Sequence, residues 1–193
     1  MVPERVILGI DPGTQVFGWG VISVTKGKAS YVAMGINSLR KELDHFTRLG
    51  TIFNEVDLLI KTYKPTELAI EAPFYGKNIQ SMLKLGRAQG AAIAAALSSG
   101  MPINEYAPRK IKQSITGNGA ASKEQVALII SKILLINELP ESYDATDGLA
   151  AALCHFLTSS VPSSLKGAKS ISGWTNRKGN WDSFVKNNPK RIK

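Results

Sequence analysis

The sequence predicts an α/β fold: a mixed, five-stranded sheet flanked by helices. Three observations predict it. Short apolar runs of strand length, rich in valine and isoleucine, alternate after residue 40 with longer segments of helical period. The first three strands follow one another through tight turns only, which makes an antiparallel meander. Each later strand is reached through a helix, a crossover that brings the chain back parallel to the first strand.

The elements follow in order. Arg5 to Ile10 is an apolar run expected to form a buried strand, ending in the carboxylate of Asp11. Val16 to Val24 and Ala29 to Ile36 are the next two strands, with Lys26-Gly27-Lys28 as the hairpin turn. From Leu43 to Tyr63, apolar residues recur every three or four positions, as in an amphipathic helix, and Pro65 ends it. Leu68 to Ile70 is a short buried strand that again ends in an acid, Glu71. Ile79 to Ser98 is a second long helix, stopped by Gly100-Met101-Pro102, and Ile103 to Tyr106 is the fifth strand. Pro108 opens a short helix running to Thr116, followed by a Gly117-Asn118-Gly119 loop. Ser122 and Gln125 fit a capping box for a helix to about Leu135. A last helix is expected from near Tyr143 to near Thr158.

With 193 residues, 44% hydrophobic and 20% charged, the chain has the make-up of one ordinary folded domain with its own core. The single cysteine, Cys154, leaves no intramolecular disulfide and suits a reducing compartment. No secretory leader is expected at the start, no apolar stretch is long enough for a membrane span, and the cytoplasm is the expected location. The net charge of +9 is unevenly placed. Residues 158–193 hold eight basic residues and one acid, whereas residues 1–157 hold 16 basic and 14 acidic. The expected organisation is therefore one folded domain over 1–157 and a basic C-terminal tail over 158–193. Such a tail suits a polyanion partner, nucleic acid first; a merely solubilising tail would look the same.

The chemistry sits in the acids. Asp11 and Glu71 end two strands expected to lie parallel and adjacent, so both side chains emerge at one sheet edge. Asp144 and Asp147 are three apart and share a face in the first turns of the last helix. Four carboxylates meeting at one place would repel and raise one another's pKa. No lysine or arginine lies beside them in sequence, so the natural counter-ion is a hard divalent cation with oxygen ligands. Two such ions roughly 3.5–4 Å apart can hold a scissile phosphate and stabilise the leaving oxygen. His45 and His155 are isolated, and His155 is expected to be structural. Each acid alone also has a plain reading: an Asx turn at Asp11, a solvent-facing strand end at Glu71, a helix-terminal acid at Asp144.

Three readings remain open on the residues. Gly9-Ile10-Asp11-Pro12-Gly13-Thr14 resembles the phosphate hairpin of actin-like ATPases, which need a second such hairpin and an adenosine motif that this chain lacks. A DNA-binding protein without nuclease activity would use the basic tail, but would gain nothing from four acids beside phosphate. A metal-dependent nuclease uses all four.

Five blocks, taken together, resemble one family. ILGIDPGT at 7–14, AIEAPFYGKN at 69–78, LKLGRAQGAA at 83–92, EYAPRKIKQSITGNGAASKEQV at 105–126 and DATDGLAAALCH at 144–155 occur in the order and spacing of the RuvC-type Holliday-junction resolvases. The resemblance covers about residues 5 to 157. It implies a ribonuclease H-like fold of the retroviral-integrase superfamily. It implies a homodimer that resolves four-way junction DNA by paired symmetric nicks in recombination and repair, leaving 5′-phosphate and 3′-hydroxyl ends. It also implies Mg2+ as cofactor, two ions per site, with Mn2+ able to substitute, and the junction branch-migration helicase complex as partner. By this resemblance Asp11, Glu71, Asp144 and Asp147 are the catalytic, metal-holding acids. Lys112 and Lys123 match lysines near the DNA, and Phe74 matches an aromatic that stacks on a base at the junction centre. The tail has no clear counterpart in the family's shorter members. Gly86 and Gly90, among the alanines of the second long helix, make a smooth face that either packs tightly on the sheet or contacts the partner of the dimer.

Overall fold

The computed structural model describes residues 3–41, 44–73, 76, 78–138, 140 and 143–159. The chain runs β1 (Arg5–Asp11), β2 (Val16–Thr25), β3 (Lys28–Ser38), α1 (His45–Tyr63), β4 (Glu67–Glu71), α2 (Ile79–Ser98), β5 (Ile103–Tyr106), α3 (Pro108–Thr116), α4 (Lys123–Leu134) and α5 (Asp144–Ser159). The strands form one sheet in the order β3-β2-β1-β4-β5. The first three strands pair antiparallel, and β4 and β5 join parallel to β1, as the crossovers require.

Both faces of the sheet are covered, which is why β1 is apolar throughout rather than alternating with polar residues. Successive side chains nevertheless go to opposite layers. Leu8 and Ile10, with Val21, Leu68 and Ile70, pack beneath α1 and α2. Ile7, Ile22 and Ala69 pack with α3, α4 and α5. Continuing that alternation carries Asp11, two beyond Gly9, and Glu71, two beyond Ala69, onto the α5 side. Ile7, Leu8, Ile10, Leu68 and Ile70 have no exposed surface. Each such burial contributes about 1.5–3 kcal/mol, so the strands that carry the two acids are firmly held.

Helix α5 lies unusually close to the sheet. A Cβ on Gly9 would overlap the Gly148 carbonyl oxygen and lie 2.5 Å from the Ala152 nitrogen. A Cβ on Gly148 would lie 2.5 Å from the Trp19 Cα. Glycine in these strand and helix positions lets two backbones touch, and that contact sets the height of α5 over β1 and β2.

The boundaries differ from expectation in small ways with clear causes. β1 continues one residue further, because Asp11 still pairs with Gly18. Only Lys26 and Gly27 form the hairpin turn, with φ of 52° and 70°, and Lys28 already belongs to β3. α1 begins at His45 and not at Leu43, which lies outside the described residues. Asp44 caps it, accepting from the Phe46 and Thr47 amides at 2.7 and 3.0 Å. The expected capping box of α4 forms, with Gln125 and Ser122 bonded reciprocally.

Candidate active site

The acids arrive at one edge from three directions. Asp11 and Glu71 are the last residues of β1 and β4. Asp144 and Asp147 occupy the first turn of α5, where the helix dipole favours anions. Gly18 brings that turn down onto β2: a Cβ there would lie 2.5 Å from the Asp144 carbonyl oxygen. Asp11, Glu71 and Asp147 line a cleft of about 300 Å³, together with Lys112 of α3 and Lys123 of α4. Leu85, Ile111 and Val126 form its apolar wall. Asp144 lies at the rim, with 43% of its side chain exposed against 16% for Asp147.

One expectation needs correction. The acids do have a cationic neighbour, although not one near in sequence. Lys123 Nζ donates to Asp144 Oδ1 at 2.9 Å and to Asp147 Oδ2 at 2.6 Å. The capping box of α4 begins at Ser122, so the lysine leaves its first turn directly towards α5. Lys123 is thus more than a surface charge awaiting DNA. Lys112 is half-buried in the wall of the same cleft. Phe74, expected to stack on a base, lies outside the described residues.

Burial and mutual repulsion dominate the electrostatics. Asp11 is raised to about 6, first by burial and then by Asp147, with Lys123 pulling the other way. Glu71 is raised to about 8 by burial, Asp11 and Asp147, against Lys123 and Lys112. Asp147 is raised by burial, although Lys123 offsets part of it. Burial lowers the pKa of Lys123, but its bonds to Asp147 and Asp144 outweigh that and leave it raised. A carboxyl with a raised folded-state pKa binds its proton more tightly folded than unfolded. Its stabilising contribution is present below its ordinary range and lost as pH rises through the folded value. Thermal scans in chelator should therefore show the midpoint falling from about pH 5 to about pH 8. A divalent cation should flatten that fall. A midpoint insensitive to both would mean that these acids are not clustered.

The donor set is all carboxylate oxygen, which suits a hard cation and no soft one. Among the described residues, no three acid, histidine or cysteine side chains close into a ready-made metal cage. His155 is no ligand. It sits on α5, buried against β4 and β5, with its ring nitrogens 2.6 Å from Tyr106 Oη and 2.6 Å from Glu67 Oε2. Sequence reasoning missed Gly9, Gly18 and Gly148 as the reason the acids meet, and it missed the buried amide of Gln89.

The family model described as "Crossover junction endodeoxyribonuclease RuvC" matches residues 7–155. The chain belongs to the RuvC family. A RuvC of Christiangramia forsetii is 54% identical over 190 residues, covering 98% of this chain and 94% of that one. A RuvC of Bacteroides fragilis is 53% identical over 194 residues, covering 100% and 98%. The structure described as T. thermophilus RuvC in complex with Holliday junction substrate superposes with a TM-score of 0.74 at 32% identity, covering 81% of this chain and 95% of that one. The yeast mitochondrial Holliday junction resolvase Ydc2 shares the fold, with a TM-score of 0.61 at 12% identity, covering 81% and 80%. The fold is the ribonuclease H-like one expected. As a RuvC-family protein the chain is a structure-selective DNA endonuclease that resolves Holliday junctions, and nucleases of this family are metal-dependent. Among the described residues, no helix is long and apolar enough to cross a membrane.

Proposed function

We propose that the cleft between β1, β4 and α5 is where this endonuclease cuts. Asp11, Glu71, Asp144 and Asp147 are the catalytic acids, and Lys112 and Lys123 hold the DNA phosphate. The convergence of three acids and two lysines from five elements on one cleft carries the reading. Two Mg2+ ions, or Mn2+ in their place, would supply an activated water and charge stabilisation at the leaving oxygen. Asp11, rigid at the end of the central strand, would hold such ions together with Glu71, Asp144 and Asp147. Lys123 can exchange its carboxylate contacts for phosphate when a cation takes its place against Asp144 and Asp147. Phe74, three residues beyond Glu71 in the sequence, is assigned the base-stacking role on the family resemblance.

Paired nicks need two such sites. We assign the second copy to the outward face of α2. Gly86 and Gly90 have open space above them, and Leu83 beside them is 51% exposed. The sheet-packing reading holds for Ala88, Ala92, Ala95 and Ala96, which are buried, and not for these glycines. A two-fold dimer matches a two-fold junction. The tail over 158–193 is proposed as a salt-sensitive DNA contact.

A gel assay with a synthetic four-way junction and a linear duplex tests this set. With magnesium, symmetric nicks are expected in the junction and none in the duplex; with chelator, binding alone. A chain ending at Thr158 should bind the junction more weakly and with a shallower salt dependence. Nicking by a complex whose sedimentation mass holds one chain would remove the dimer.

A further inference from the structure

We propose that Gln89 is a positioning residue for Glu71. From the α2 layer, its side-chain amide fixes the end of β4 and so determines where the Glu71 carboxylate is delivered. The proposal rests on the assignment of Glu71 to the catalytic cleft.

Gln89 lies mid-way along α2 and is 8% exposed, on the face formed by Ala88, Ala92, Ala95 and Ala96. An amide in such a place costs free energy unless its hydrogens find acceptors, and a leucine would pack there without that cost. The amide has found two acceptors. Nε2 donates to Glu105 Oε1 at 2.5 Å and to the Glu71 carbonyl oxygen at 3.3 Å. Its two hydrogens can serve both at once.

The place matters as much as the bonds. Pairing of β4 with β1 runs only to Ile10 opposite Ile70. Pairing with β5 continues to Glu71 opposite Tyr106. Glu71 is therefore the residue at which one neighbouring strand has already let go. The Gln89 amide holds its carbonyl from the layer above. Glu105, paired across from Ile70, anchors that amide in turn. Peptide and side chain are joined at one Cα, so a tilt of this terminal peptide swings the carboxylate. Groups that orient ligand side chains typically matter ten- to a hundredfold for metal affinity.

Two variants test this on the DNA-free protein, with Mn2+ binding followed by electron paramagnetic resonance and the thermal midpoint measured alongside. Gln89→Met keeps length and packing but removes both donors. It should weaken Mn2+ binding roughly tenfold or more. The exchange Gln89→Glu with Glu105→Gln keeps the net charge and restores an amide-to-carboxylate bond between the two positions. It leaves no donor at position 89 for the Glu71 carbonyl. Its midpoint should recover towards wild type while Mn2+ binding stays weak. Unchanged Mn2+ affinity in folded Gln89→Met, or full recovery in the exchange, would overturn the proposal. If Gln89→Met does not fold, the exchange decides alone. Asp147→Asn is the separate control: if it binds Mn2+ as wild type does, the cleft itself has been misassigned and the role of Gln89 falls with it.

Discussion

Asp11→Asn is expected to cut a four-way junction roughly a thousandfold more slowly than wild type, a loss of about 4 kcal/mol in transition-state stabilisation. The substitution keeps size and hydrogen-bonding shape and removes only the charge. Asp11 ends the central strand of the sheet, paired with Gly18, two residues beyond Gly9 under α5. It cannot be replaced by a neighbouring acid shifting over, because the flanking strands fix it. The same change should leave the protein as stable or more stable in chelator near neutral pH. Burial and the neighbouring acids hold the Asp11 carboxyl at about 6, so its ionisation opposes folding there. A variant that is stable, binds junctions and does not nick is the expected outcome, read by single-turnover nicking in magnesium and by thermal midpoint in chelator. Normal nicking by the folded variant would sink the site assignment.

Gly9→Ala is expected to cost a large part of the domain's stability. The new Cβ would overlap the Gly148 carbonyl oxygen and sit 2.5 Å from the Ala152 nitrogen and 2.9 Å from its Cβ. The first two are backbone atoms, with no flexible end to move aside. The helix must lift or the strand must bend, at a cost of about 3 kcal/mol or more. In a domain of this size that lowers the thermal midpoint by roughly 6–12 °C. Lifting α5 also draws Asp147 away from Asp11, so the fraction still folded should nick poorly. Gly50→Ala is the control. Gly50 lies within α1 with nothing near its added Cβ. That methyl should stabilise by about 0.5–1 kcal/mol through helix propensity. Equal effects from the two substitutions, by denaturant titration, would show that α5 does not rest on Gly9.

Much of this was legible in the sequence, for physical reasons. Element order followed from the change of period after residue 40. Two strands ending in acids, and two aspartates three apart on a helix, already described one edge of one sheet. Other features were hidden. β1 and β4 are apolar on both sides, so nothing in RVILGID or ELAIE says which layer their acids join. That follows only from which helices cover Leu8 and Ile10 and which cover Ile7. The contact of Lys123 with Asp144 and Asp147 spans more than twenty residues and depends on where α4 starts relative to α5. Two signals were present and unread. Gly18 and Gly20 alternate within a strand, a pattern that marks a backbone approaching closely. A lone glutamine amid an alanine-rich helix face marks a buried amide with a task. Phe74 and residues 160–193 lie outside the described residues, so the base-stacking and tail assignments rest on sequence and family alone.

The alternation along β1 has a consequence for how the two layers respond to change. Ile7 and Leu8 are adjacent in sequence yet belong to separate cores, one under α3 to α5 and the other under α1 and α2. The sheet acts as a partition. The proposed cutting site is on one side of it and the proposed self-association face on the other. Substitutions made on opposite sides share few neighbours, so their free energies should sum with little cross-term, and each layer is free to drift without disturbing its counterpart. Gln89 is a point where that partition is crossed. An amide rooted in the α2 layer grips the peptide whose carboxylate serves the other side, so a change there should be felt by both layers at once.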